Sequence, residues 1–303
     1  MERFYPIGTP GQPWTDADKA AWAQQQAVQR SYRDEVLDKV DALRDRFDVT
    51  HYGALAVDPE RYPLFALAPK APKHDLPWVL ITGGVHGYET SGVQGALLFA
   101  AQHAADYADQ VNLLIAPCVS PWGYERIQRW NADALDPNRS FFAGSGCGES
   151  TALMQLVASK GATWQMHLDL HETTDTDESE FRPAKAALDG AAFEPGTIPD
   201  GFYTVGDSEN PQPAFQAAII ASVREVTHIA PPDENGQIIG ADVEQDGVIH
   251  YPVHELHLCT SVTDAPYNST TEVYPDSDKV TDADCNQAQV AAVRGALDHV
   301  LAQ

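Results

Sequence analysis

Three short apolar runs constrain this chain more than anything else in it: "LPWVLITGG" at 76–84, "VNLLIAPCV" at 111–119 and "WQMHLDL" at 164–170. Each has the length of a strand, and the first is apolar without alternation, the pattern of a strand covered on both faces. Between the first two lies "ETSGVQGALLFAAQHAADYA", which reads as a helix, so strand, helix and strand form a βαβ unit. A further helix around "ESTALMQLVASKG" leads into the third run. The expected fold is α/β, a three-layer arrangement with a mixed, largely parallel sheet and helices on both faces.

The flanking segments extend this pattern. Residues 15–47 read as one long helix or two, with Thr15 as N-cap and an apolar stripe of Val36, Leu37, Val40, Leu43 and Phe47. "VTHYGALAV" and "RYPLFALA", separated by "DPE", predict a hairpin. Beyond the third run come "GFYTVG", the helix-like "PAFQAAIIASVREV", a strand-rich stretch from 237 to 275 and a helix from 280 onward. No internal repeat or long linker interrupts the sequence. Residues 1–303 are therefore expected to form a single domain, with 1–50 a helical N-terminal elaboration.

Charge narrows the partners. Nineteen Lys and Arg against 44 Asp and Glu give a net charge of −25, while 43% hydrophobic residues suffice for a sizeable core. Such a surface repels phosphate backbones and anionic lipid, so neither nucleic-acid nor membrane binding is expected. Cys118, Cys147, Cys259 and Cys285 are scattered, without the close pairs of a zinc ribbon. Two of them, in "LLIAPCV" and "HELHLCTSV", sit in strand-like apolar runs. "MERFYPIGTPGQPW" lacks the apolar core of a signal peptide, and no run approaches a membrane span. A cytoplasmic protein with reduced cysteines is the expectation.

In an open α/β sheet, functional residues gather at the carboxyl ends of strands. "TGGVHGYETSG" places His86 and Glu89 at such an end, among glycines, and "WQMHLDLHETT" supplies His171 where its apolar alternation stops. Two His and one Glu from two strand ends make a three-ligand set with a fourth position open, as in catalytic rather than structural zinc sites. The rival cluster is "IHYPVHELHL", with His250, His254 and His257. Pro252 and the β-like surroundings indicate a strand there, on which 254 and 257 would face opposite sides. Glu172 should point away from the metal if strand geometry persists to that position.

"SPWGYERIQRWNADALDPNRSFF" concentrates Arg126, Arg129 and Arg139. Asn138 with Arg139 can hold a carboxylate, and an arginine near a metal can stabilise an oxyanion. The alternative is a surface loop with ordinary ion pairs. The acidic run "TDTDESEFRPA" reads mainly as a solvated loop; Asp175, Asp177, Glu178 and Glu180 could attract a basic group, and Arg182 a second carboxylate.

Taken in order over roughly 78–275, "HGYE", "SPWGYERIQRWNADALDPNRSF", "DLHETT" and "TTEVYPDS" together resemble the zinc carboxypeptidase family, the carboxypeptidase A-like enzymes and their compact bacterial branch. The resemblance implies removal of C-terminal residues from peptides, with one Zn2+ per chain held by His86, Glu89 and His171. It matches Arg129 to the oxyanion-stabilising arginine, Asn138 and Arg139 to the pair that grips the terminal carboxylate, and Asp136 to the carboxylate that orients a zinc-bound histidine. Glu272 in "TTEV" matches the general base, with Glu255 a competitor outside the matching context. Tyr251 and Tyr267 both stand as candidates for a substrate-binding tyrosine. Two departures stand out: "SPWG" replaces an Asn-Pro-Asp-Gly-like turn, which weakens the peptidase match there, and Glu89 precedes His171 by only 82 positions, shorter than in the digestive enzymes and nearer to the compact bacterial branches. An alternative on the same scaffold is an N-acyl amino acid deacylase of the aspartoacylase/succinylglutamate desuccinylase type, where a run similar to "DLHETT" occurs and the substrate is a small acyl-amino-acid. A third, a non-catalytic zinc- or peptide-binding relative, is opposed by the joint presence of ligands, base and arginine clamp.

Overall fold

A computed structural model describes residues 5–303. Thr15 caps the first helix, α1 (Asp16–Gln25), in a reciprocal capping box with Asp18. The chain then leaves the helical path before a wide turn at Arg33–Leu37 runs into α2 (Asp38–Ala42). The break is tertiary in origin, because the Gln29 and Arg30 amides donate to the Glu125 carbonyl rather than into a helix. Phe47, expected to close the helical stripe, instead opens β1 (Phe47–Ala54), which pairs antiparallel with β2 (Pro63–Pro69) as the hairpin pattern requires.

The βαβ unit follows as β3 (Trp78–Gly83), α3 (Thr90–Gln102) and β4 (Asn112–Ala116), with β3 and β4 parallel neighbours. Then come α4 (Pro121–Arg126), α5 (Gly148–Lys160), β5 (Trp164–Glu172), α6 (Arg182–Asp189), β6 (Tyr203–Asp207) and α7 (Pro213–Arg224). A two-residue ribbon, β7 (Gln237–Ile238) with β8 (Ala241–Asp242), precedes β9 (Val248–Tyr251), β10 (Tyr267–Val273) and α8 (Asp282–Leu301). Eight strands form one sheet in the order β1-β2-β4-β3-β5-β10-β6-β9. The β4-β3-β5-β10 run is parallel, while β2–β4 and β10–β6 pair antiparallel. The sheet is mixed, as expected, and β10 lies between two strands made before it.

Strand alternation distributes the core to both faces. Val79, Ile81, Leu113 and Ile115 join a cluster with Val93 and Leu97 of α3 and Val293 and Leu297 of α8. Leu80 and Leu114, one residue out of phase, pack instead with Leu153, Leu156 and Val157 of α5. Each such side chain contributes about 1.5–3 kcal/mol by burial. Among the described residues no helix is long and apolar enough to cross a membrane.

One stretch differs from its expected form. The strand in "IHYPVHELHL" stops at Tyr251, because Pro252 has no amide to donate to a ladder. The chain turns, with His257 at φ +53, and Cys259 opens a short 3-10 turn (Cys259–Val262) rather than lying in a strand. His254 and His257 are exposed on this turn.

Candidate metal centre

Between β3 and α3 the chain must turn sharply and pass close to α4. Gly84 takes φ +58, and at Gly87 an added Cβ would lie 2.0 Å from the Gly123 carbonyl carbon, so the close backbone contact demands glycine. That loop carries His86 and Glu89 to the end of β5, where His171 stands. Glu172, one residue on, points the other way, as alternation requires. Its carboxylate accepts from the Thr90 and Ser91 amides at 2.9 and 2.6 Å, capping α3, and burial pushes its pKa up to about 7.

His86, Glu89 and His171 are all buried, and one ligand atom from each lies within 4.8 Å of the others. His86 Nδ1 is 2.7 Å from Glu89 Oε1, and His171 Nδ1 is 2.9 Å from Glu89 Oε2. The outer nitrogens are occupied: His86 Nε2 lies 3.0 Å from Asp136 Oδ1 and His171 Nε2 lies 2.6 Å from Asp169 Oδ2. If each ring gives its Nε2 proton to its aspartate, both Nδ1 atoms become lone pairs aimed at a carboxylate. The other arrangement, without a metal, is protonated rings: burial opposes the charge on Glu89, and positively charged His171 and His86 outweigh it and bring its pKa down to about 2. Glu89 Oε2 has no hydrogen-bond donor apart from the His171 ring. Lone pairs converging in a dry pocket repel one another unless a cation lies between them, and the donor set of two imidazoles and a carboxylate suits zinc.

Charged groups surround the triad. Asp136, held well below the usual carboxylate range by Arg129 and His86 against the opposing effect of burial, accepts from Arg129 Nε at 3.1 Å. Arg129 Nη1 donates to the Tyr88 hydroxyl at 3.1 Å, Tyr88 donates to Asp177 at 2.9 Å, and the guanidinium lies 4.2 Å from the Phe181 ring centroid. Glu272 sits on β10 directly opposite His171 in the parallel ladder. Its Oε2 accepts from the Thr173 hydroxyl at 2.9 Å, and Thr173 in turn meets the Tyr203 hydroxyl at 2.7 Å. Burial pushes the Glu272 carboxyl up to about 8.

Asn138 and Arg139 follow Asp136 on a 3-10 turn. The Cys259 amide donates to Asn138 Oδ1 at 2.7 Å and thereby fixes the side-chain amide. Arg139 Nη1 donates to the Asn138 carbonyl at 2.8 Å, and the side chain opens to cleft solvent. Partial desolvation lowers the Arg139 pKa, and the guanidinium enters no ion pair among the described residues.

The cleft thus brings together His86, Arg129, Asn138, Arg139, Tyr251 and Glu272, with Arg182 also lining it. Arg182 is already paired with Glu178 at 2.7 Å. Tyr267 is not part of the lining; at the start of β10 it packs on Phe215, ring centroids 5.3 Å apart, and on His299. Glu255 is exposed on the turn after Tyr251. Sequence reasoning missed Asp169, Tyr88, Thr173 and Tyr203. Asp169 was within reach of alternation, two positions before His171 on the same strand face. Asp177, named in the acidic run as able to attract a basic group, does lie beside Arg129, but it is buried rather than part of a solvated loop, and its partners come from positions 88 and 129.

A family described as "Protein of unknown function (DUF2817)" matches residues 66–171, from β2 to His171. No curated protein matches the sequence. In fold the chain is similar to a candidate metallopeptidase from Shewanella amazonensis, at 20% identity and TM-score 0.67, covering 91% of this chain and 99% of the other. It is similar also to a metallo-carboxypeptidase from Burkholderia cenocepacia (16% identity, TM-score 0.59, 95% and 70% covered). The carboxypeptidase A from Helicoverpa armigera has the same architecture (13% identity, TM-score 0.58, 95% and 80% covered). The fold is that of the carboxypeptidase A-like α/β proteins.

Proposed function

We propose that the protein is a zinc-dependent metallocarboxypeptidase that removes C-terminal residues from peptides. The observation that carries this reading is Arg139, a guanidinium without a carboxylate partner in the cleft that His86 of the triad lines, on a chain of net charge −25. So acidic a chain has many carboxylates to offer; one cation left open at the triad is suited to a substrate carboxylate.

Bound by the triad, zinc supplies a Lewis acid that polarises a carbonyl and makes water acidic near neutral pH. Arg139 and the Asn138 amide hold the terminal carboxylate and so fix the scissile bond in the cleft. Arg129, oriented by Asp136 and Tyr88, donates to the oxygen on which charge develops. Glu272 accepts a proton from the attacking water and returns it to the leaving amine. Burial alone would keep Glu272 protonated, whereas positive charge at the triad favours the ionised form a base needs. Tyr251 lines the same cleft and is available to close over substrate. Arg182, neutralised by Glu178, leaves no second open guanidinium, which favours peptide ends over acyl-amino-acids carrying two carboxylates.

The test is metal content together with product analysis. The protein is expected to hold about one zinc per chain and to release single amino acids from N-blocked peptides. Release from small N-acyl amino acids alone would make it a deacylase, and failure to bind zinc after reconstitution would sink the hydrolase reading.

A further inference from the structure

We infer that Arg30, in the segment joining α1 to α2, is a positioning residue for the metal-binding loop. The inference rests on the metal reading of the triad. Arg30 spends its whole fork on that loop and the helix behind it. Nη2 donates to the Gly87 carbonyl at 2.8 Å, Nη1 to the Thr90 hydroxyl at 2.6 Å and Nε to the Tyr124 carbonyl at 2.6 Å. The guanidinium carbon lies 3.5 Å from the Tyr124 ring centroid. Its own backbone is anchored to α4, where the Gln29 and Arg30 amides donate to the Glu125 carbonyl.

The loop needs such a brace at its middle. Its entry is tied down by Ser120, whose amide and hydroxyl donate to the Gly84 and Val85 carbonyls, and its exit by Glu172 capping α3. Across the bend itself, the Glu89 amide reaches the His86 carbonyl only at 3.4 Å. Arg30 takes the Gly87 carbonyl, midway between His86 and Glu89, and locks it to the α4 backbone that Gly87 already touches. Every acceptor of Arg30 is neutral. A cation placed beside a cation site weakens metal binding by charge alone, so what Arg30 contributes is geometry. Lysine, with a point charge in place of a planar fork, cannot hold three acceptors in these directions.

The experiment measures zinc affinity by competition with a chromophoric chelator, alongside the Tm of the metal-free protein. Three variants are compared: Arg30→Ala, Arg30→Lys and Tyr32→Phe. Tyr32→Phe breaks the hydroxyl bond from the same segment to the Pro63 carbonyl without touching the loop. Arg30→Ala is expected to weaken zinc binding roughly 10- to 100-fold, as loss of an outer support does at metal sites. Arg30→Lys should fall between, and Tyr32→Phe should change Tm but not affinity. If Arg30→Ala does not fold, Arg30→Lys carries the comparison. Unchanged affinity in the Arg30 variants, or an equal loss in Tyr32→Phe, would overturn the inference. An unaltered protein that binds no zinc would overturn the metal reading and this inference together, an outcome distinct from tight binding by all variants.

Discussion

His171 and Asp169 lie two residues apart on β5, and Nε2 of the first is 2.6 Å from Oδ2 of the second. Strand alternation puts both on one face, and the Thr82 hydroxyl steadies the other oxygen of Asp169 at 2.6 Å. His86 has its counterpart in Asp136, so each histidine turned toward Glu89 is backed by its own carboxylate. Asp169→Asn is expected to lower zinc affinity about 10- to 100-fold with the fold intact, read by chelator competition and circular dichroism. Asp136→Asn should do the same and also depress kcat, because Asp136 holds Arg129 as well. Equal affinity in both variants and the parent would refute the backing role.

Glu272→Gln should retain one zinc per chain while kcat falls by roughly 10²–10⁴-fold, the usual worth of a positioned proton-transfer group. Metal analysis and steady-state kinetics on the same preparation check it. Turnover near the parent level in a zinc-replete variant would move the base elsewhere.

Arg139→Ala should raise KM for peptides with a free C-terminus and leave C-terminally amidated analogues no weaker in binding. Loss of a charge-assisted hydrogen bond, about 1.5–3 kcal/mol, corresponds to roughly a 10- to 100-fold rise. A uniform loss on both substrate types would show that Arg139 does not read the carboxylate.

Away from the cleft, Glu149 is buried on α5, accepting from Asn131 at 3.0 Å, and burial raises its pKa. A carboxyl whose folded pKa is raised binds its proton more tightly in the native state. Its stabilisation is therefore fully present below the unfolded pKa and declines as pH rises toward the folded value. Glu149→Gln, which cannot ionise, should gain in Tm relative to the parent on going from pH 4 to pH 8. A Tm difference that does not change with pH would contradict this.

The legible parts of the molecule were those where local pattern and tertiary role coincide. Uninterrupted apolar runs permit little besides buried strands, so β3 and β4 could be read directly, and His86, Glu89 and His171 follow because they sit where such runs end. The break after α1 could not be read, since it is fixed by the Glu125 carbonyl nearly a hundred residues away. Asp177 was masked by acidic neighbours, of which Asp175 is exposed and Glu178 and Glu180 are half-buried, and its burial depends on Tyr88 and Arg129 arriving from elsewhere. Of the two tyrosines, sequence gave no means of choosing; only the course of β9 and β10 sends Tyr251 to the cleft and Tyr267 to Phe215.

The place of β10 in the sheet sets an order of events during synthesis. A growing chain has all three triad residues once His171 has emerged, yet Glu272 is made about a hundred residues later. It reaches the triad only when its strand wedges between β5 and β6, a non-local pairing that forms late. On the proposed reading, an unfinished chain would carry its candidate metal ligands before its candidate base, and the cleft would be armed last, by the strand that completes the sheet.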